Sequence, residues 1–283
     1  MLKQRVLTAL VLLPLALAVI FALPLQGFAL VLAVVFALAG REFGALIAPQ
    51  RANIKIMAGL VTIAILALVW ALVPMSQVWQ GGELHPLYLS LIYAGTLWWL
   101  VALGLVLSFP LSALFWQRKP LLKSLFGLFT LLPAFCAMVA LKSWPGSLDG
   151  AWLILAVLLL VWGADTGAYF IGKRFGKKKL IPKVSPAKTR EGLFGGMFVC
   201  ALLCVVAWQF VPNISLFEAI ILGMVTAFVS ALGDLTESMF KRAANIKDSG
   251  RLLPGHGGVL DRIDSVTAAM PVFTTLLLLF GLN

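Results

Sequence analysis

The chain is predicted to be an all-α polytopic membrane protein of about nine transmembrane helices, N-terminus cytoplasmic and C-terminus periplasmic. The first observation behind this is composition, 61% hydrophobic against only 12% charged residues. The second is that apolar runs near the roughly 20 residues needed to cross the hydrocarbon core recur along the whole length. They fall at 6–23, 27–47, 56–74, 87–107, 121–141, 151–171, 193–211, 217–236 and 265–282. The third is the placement of the basic residues. With the N-terminus inside, 21 of the 22 Lys and Arg lie in the N-terminus and the cytoplasmic connections, and only Lys142 lies outside. Loop bias of this kind sets orientation.

The first run exceeds the roughly 7–15 residues of a signal h-region and lacks a small-x-small cleavage site, so it reads as a retained helix with Lys3 and Arg5 as anchors. Spans two to five hold little chemistry. Arg41 and Glu42, near the cytoplasmic end of span two, read as interfacial anchors or an ion pair. His85, beside Gly81, Gly82 and Glu83, reads as solvated. Pro14, Pro74 and Pro133 read as kinks or stops, and the Trp98–Trp99 pair as packing. Cys136, Cys200 and Cys204 fall inside spans with no His or acid at ligand spacing, so they read as small buried apolar residues. The net charge of +11 is one-sided; it suits anionic headgroups and a polyanionic substrate. The basic residues are scattered over short loops, which argues against a nucleic-acid partner.

Beyond residue 160 the pattern changes. Asp165 sits inside span six, and an acid within the membrane is a functional-site candidate by default. Trp162, Asp165, Tyr169 and Lys173 share one helix face; a packing ion pair or hydrogen bond is the alternative. Ser230, Asp234, Glu237, Ser238 and Lys241 form a polar stripe at the cytoplasmic end of span eight, the pattern of a wet pocket. Asp261, Arg262 and Asp264 open span nine, where the helix macrodipole alone would favour one acid. His256-Gly257-Gly258 precede them, and backbone without side chains can approach a ligand closely. Asp234, Asp261 and Asp264 together suit Mg²⁺, a hard cation held by one or two carboxylates plus substrate phosphates. In the most basic loop, Ser185, Lys188, Thr189 and Arg190 precede a helix start and read as a phosphate cradle, or alternatively as a positive-inside loop with a capping hydroxyl. Gly172-x-x-x-Gly176-Lys177 lacks the spacing and the Ser/Thr of a P-loop. Gly192-x-x-x-Gly196 reads as a close helix contact. No connection is long enough to fold a nucleotide-binding domain, so any site must be built from helix ends and short loops.

The run Ser238-x-x-Lys241-Arg242-x4-Lys247-Asp248-x-Gly250-x2-Leu253-Pro254-Gly255-His256-Gly257-Gly258-x2-Asp261-Arg262-x-Asp264 resembles the signature of the phosphatidate cytidylyltransferases, also called CDP-diacylglycerol synthases. The Ser185-Pro-x-Lys188-Thr189-x-Glu191-Gly192 loop and the Asp165-x-x-Ala168-Tyr169-x-x-Gly172 segment match the same family, and the length and opening residues resemble its enterobacterial form. The likeness weakens in the first five spans. The resemblance implies transfer of CMP from CTP to phosphatidic acid, giving CDP-diacylglycerol and pyrophosphate. It also implies a Mg²⁺ requirement with room for a second, monovalent cation, and a homodimer among the lipids of the bacterial inner membrane. On that basis 1–283 is one integral-membrane domain, with 1–141 as helices of little chemistry and 151–283 carrying catalysis. The expected metal ligands are Asp234, Asp261 and Asp264. Lys188, Ser185 and Thr189 would grip nucleotide phosphates, and Lys241 and Arg242 the lipid phosphate, with His256 donating to phosphate. Ser238, Gly257, Gly258, Arg262 and Asp165 complete the expected substrate site. A cytidylyltransferase for another lipid phosphate, a lipid transporter and a non-catalytic scaffold are the competing readings; the last leaves the acidic, Gly-rich cluster unexplained.

Overall fold

A computed structural model describes residues 2–146, 148–211 and 214–282, with the side chains of 2–7 and 9 left out. Ten helices follow in order: α1 (Leu2–Ala22), α2 (Leu25–Ile47), α3 (Ala52–Leu72), α4 (Pro86–Leu107), α5 (Ala113–Trp116), α6 (Pro120–Lys142), α7 (Gly150–Phe175), α8 (Arg190–Trp208), α9 (Leu216–Ala243) and α10 (Leu260–Leu279). Eight of them, all but α1 and the single turn α5, are long and apolar enough to cross a membrane; α1 contributes a shorter apolar stretch, Leu10–Ala22. Each predicted span coincides with one long helix.

Two hairpins interrupt the helices. β1 (Trp79–Gln80) pairs with β2 (Glu83–Leu84), and β3 (Lys179–Ile181) pairs with β4 (Ser185–Thr189), both antiparallel. Neither was expected. The strands are too short for an alternating pattern to show, and only the Gly81-Gly82 turn, with both φ positive, leaves a trace in the sequence. His85 is not simply solvated: its Nδ1 accepts the Leu87 amide (3.2 Å) and caps α4.

The bundle is organised around α10, which packs on α2, α4, α6, α7 and α9. α6 lies beside it, buried continuously from Thr130 to Leu141. α3 packs chiefly on α2 and presents Ile56, Met57, Leu60, Val61, Ile63, Leu68 and Leu72 outward, as a lipid-facing helix should. Glycine lets α8 press against α7: a Cβ on Gly192 would meet the Ala168 carbonyl at 2.9 Å, and one on Gly196 the Ala164 carbonyl at 2.5 Å. Trp98 and Trp99 are buried, and Trp98 stacks on Phe126 and donates to Thr130 Oγ1 (3.1 Å). The three cysteines are buried and unpaired.

Lysines close two helix ends. Lys123 Nζ donates to the carbonyls of Leu46 (3.2 Å) and Ile47 (2.5 Å) at the end of α2, and Lys142 Nζ donates to Ile20 (2.6 Å) near the end of α1. Terminal carbonyls lack intrahelical donors and carry the negative end of the dipole, so both cations are well placed. The C-terminal ends of α2, α7 and α9 and the N-terminal ends of α8 and α10 meet on one side of the bundle. Contacts described below bind them together.

Candidate active site

At that end, the polar stripe of α9 faces both the β3–β4 hairpin and the start of α10. Lys188, on β4, reaches across to Asp234 on α9 in a 2.7 Å ion pair and donates to the Ala231 carbonyl at 3.4 Å. Ser238, one turn further along α9, donates to the other Asp234 oxygen (3.2 Å). Lys241 bridges two acids, Glu237 on its own helix and Asp261 on α10, each at 2.7 Å. These two acid–lysine couples place cations and carboxylates side by side within an apolar bundle, where an unpaired charge would be costly. Asp234 also feels the charge of Lys241, so the couples act on one another.

The loop from 244 to 259 is folded around two carboxylates. Asp261 accepts from the amides of Gly258 (2.8 Å) and Ser249 (3.1 Å) in addition to Lys241. Glu42, from α2, accepts from the Leu260 amide (2.8 Å) and from Ser249 Oγ (3.4 Å). The Glu42 carboxylate touches Gly250 and Gly258 so closely that a Cβ on either would overlap it. Gly257 has φ +82° and bridges back to Leu253, a conformation L side chains rarely adopt. The glycines do let backbone approach an anion closely. The anions they approach in this structure are the protein's own Glu42 and Asp261.

Glu42 therefore departs from expectation. It is neither an interfacial anchor nor the partner of Arg41; it is 7% exposed and fastens the start of α10 to α2. Burial of a charged group without such donors is prohibitive, and the donors come from residues more than 200 positions away, which no local pattern reveals. A signal was present all the same, since an acid within an apolar span is a functional candidate wherever it occurs.

The remaining expected residues divide. Asp165, Tyr169, Lys173, Lys188, Thr189 and Asp234 line one cavity of about 390 Å³ between α7, α8, α9 and the β3–β4 hairpin. Asp165 feels the charges of Lys188, Asp234 and Arg262. Trp162, expected on the same face, is not among the lining residues. Thr189 Oγ1 accepts the Gly192 amide (3.1 Å) and so caps α8, which leaves only part of its hydrogen-bonding capacity for a ligand. Ser185 pairs with Ile181 at the far end of the hairpin and does not line this cavity. Glu191 accepts from the Lys177 (3.1 Å) and Lys178 (3.2 Å) amides, holding the turn that leads into the hairpin. Arg242 donates to the Val184 carbonyl (3.2 Å), pinning the hairpin tip to α9. Arg262 donates to the His256 carbonyl (3.0 Å), while the buried Nδ1 of His256 has no partner among the described residues. Asp264 Oδ1 accepts its neighbour's amide at Ser265 (2.7 Å); with Glu237 it lines a small cavity between α9 and α10. Glu237 is 5% exposed, and its carboxyl lies within hydrogen-bonding reach of Asp264.

Among the described residues, no three His, Cys, Asp or Glu side chains form a ready metal-ligand cluster. Asp234 and Asp261 instead neutralise lysines, and Asp264 stands beside the buried carboxyl of Glu237. That donor set still suits a hard cation bound through one or two carboxylates with the balance supplied by phosphates.

The site is thus a cavity of about 390 Å³ beside paired acids and lysines, at one end of a bundle whose long helices are apolar enough to cross a membrane. A family model described as "Cytidylyltransferase family" matches residues 3–280. The chain is 41% identical over 283 residues to a phosphatidate cytidylyltransferase of Haemophilus influenzae, covering 97% of this chain and 98% of that protein. It is 45% identical over 279 residues to a phosphatidate cytidylyltransferase of Pseudomonas aeruginosa, covering 98% and 97%. A protein of the same description from Staphylococcus aureus is 46% identical over 132 residues, 46% of this chain and 50% of that one. The chain belongs to the cytidylyltransferase family.

Proposed function

We infer that the protein is a phosphatidate cytidylyltransferase, which transfers CMP from CTP to phosphatidic acid and releases pyrophosphate, in phospholipid biosynthesis. Family membership over nearly the whole chain supports the reaction class. The geometric observation that carries it is the pair of couples Lys188–Asp234 and Lys241–Asp261 at one end of the bundle. Lysines held by carboxylates rather than by phosphate are poised to exchange partners when a polyanion arrives. The polar end faces the cytoplasm of a bacterial inner membrane in this reading, because 21 of 22 basic residues gather on that side. This gives nine spans with the C-terminus outside; two copies form a homodimer.

In the reaction a phosphatidate phosphate oxygen attacks the α-phosphorus of CTP. A new P–O bond forms in line as the bond to the α–β bridging oxygen breaks, and the electron pair leaves with pyrophosphate. No general base is required, since a phosphomonoester with second pKa about 6 is already largely ionised near neutrality. Catalysis of this kind rests on position and charge neutralisation. Lys188 grips nucleotide phosphates within the 390 Å³ cavity, and Lys241, at the end of α9, meets the lipid phosphate. His256, with its unpartnered Nδ1, donates to a phosphate oxygen; Arg242 and Arg262 hold the hairpin and the glycine loop around it. One or two of the carboxylates of Asp234, Asp261 and Asp264 would hold Mg²⁺, with substrate phosphates supplying the other ligands and Asp261 surrendering Lys241 to do so. A bound Mg²⁺ supplies positive charge against the triphosphate and the departing pyrophosphate.

The test is direct. Purified protein given phosphatidic acid, labelled CTP and Mg²⁺ should yield a labelled lipid and pyrophosphate in equal amounts. Label that stays in water-soluble products, or transfer only to a different lipid phosphate, would exclude this substrate assignment.

A further inference from the structure

The glycine loop has a second face. Residues 246–252 and the neighbouring ends of α2 and α3 line another, open cavity of about 720 Å³. Arg41, Lys55, Lys247 and Arg251 all line it. Of the two acids there, Glu42 is committed to the Leu260 amide and to Ser249, which leaves Asp248 as the only other counter-charge. None of the four cations belongs to an ion pair among the described residues. They come from three separate segments, α2, α3 and the glycine loop. Snorkelling anchors from those segments would spread toward headgroups independently; instead they converge on one volume. Like charges brought together cost free energy, and a multiply charged anion reverses the sign. Two of the four are arginines, whose planar forks match phosphate oxygens bidentately.

We propose that this cavity is an anion site, distinct from the cavity that holds Lys188, and that it takes a phosphate group through Arg41, Lys55, Lys247 and Arg251. The site stands on these four side chains and does not depend on the transferase reading. It shares a wall with the candidate active site: Ser249 donates its hydroxyl to Glu42 on one side and its amide to Asp261 on the other. An occupant therefore bears directly on the loop that positions Asp261. The phosphate arrives either free in solution or on a lipid headgroup, and the chemistry of recognition is the same.

Titration of the purified full-length protein by calorimetry, with divalent ions chelated, separates these sources. Inorganic pyrophosphate stands for the free anion, and dihexanoyl phosphatidylglycerol for the headgroup. Substituting Arg41→Gln together with Lys55→Gln is expected to weaken binding of one probe at least tenfold, and that probe identifies the source. Lys188→Gln, in the other cavity, should leave this binding event in place. The charge-retaining pair Arg41→Lys with Lys55→Arg should bind more tightly than the double Gln variant and more weakly than the unaltered protein, since charge is kept and the Arg41 fork is lost. Unchanged affinity for both probes in the double Gln variant overturns the proposal. If that variant melts early, Arg251→Gln provides the same reading, and unchanged affinity there is equally fatal.

Discussion

The helices before residue 143 and those after 149 are built to different rules. The first group buries Phe28, Phe36, Trp116 and Phe135 almost completely and spends most of its polar side chains on helix ends and backbone carbonyls. In the second group α9 alone carries a buried Glu237, a half-buried Asp234 and a Lys241 that bridges two acids. Glu42 crosses this division. It belongs to the apolar group by sequence and to the charged group by contact, because its hydrogen-bond donors lie at Ser249 and Leu260. A division drawn along the chain is therefore a division of composition. The working unit is the set of helix ends that meet on one face.

Substitutions that separate the two groups test this view. The largest effect is expected at Asp261→Asn: CTP-dependent turnover should fall at least about a hundredfold, the scale of losing transition-state charge stabilisation. Membrane insertion should remain intact, as followed by the amount of protein in the membrane fraction, against which product formation is normalised. Activity near that of the unaltered protein would remove Asp261 from the metal assignment.

Glu42→Ala comes next, and it decides whether an N-terminal helix shapes the site. Losing its acceptor leaves the buried Leu260 amide without a partner, a cost of about 1–3 kcal/mol. Both melting temperature and kcat should drop. A drop in melting temperature with unchanged kcat would return Glu42 to scaffolding.

Lys188→Glu reverses the charge facing Asp234 across the hairpin. The apparent KM for CTP should rise about tenfold or more, since a charge-assisted contact contributes roughly 1.5–3 kcal/mol. An effect confined to phosphatidate would reassign the cavity to the lipid.

Lys123→Met should have the smallest consequence. It removes the donor to Leu46 and Ile47 at the end of α2, worth about 0.5–1.5 kcal/mol. The expected result is a modest fall in thermal stability, with kinetic constants of the folded enzyme unchanged.

Several site features were legible in the sequence because they are periodic. Asp234, Ser238 and Lys241 recur on one face of α9, and the structure puts all three into hydrogen bonds or ion pairs there. Asp165, Tyr169 and Lys173 recur on α7, and all three line its cavity. Thr189 and Ser185 looked equivalent, five residues from end to end. A short hairpin separates them, leaving Thr189 as the cap of α8 and Ser185 away from the cavity. The glycines of the signature announced a close approach to an anion without saying which one. Glu42 and Asp261 occupy that place, and only one of them lies nearby in sequence.

Amino-acid order alone determined which segments are apolar enough to cross a membrane, which connections are basic and which helix faces are polar. Those properties follow from hydrophobic transfer and from the 3.6-residue repeat, both of which act within one segment. Tertiary structure decided which acid meets which lysine, that Glu42 braces the loop before α10, and that Arg41, Lys55, Lys247 and Arg251 share one cavity. Such pairings depend on distances between segments far apart in the chain, set only when apolar faces pack and buried charges must find partners.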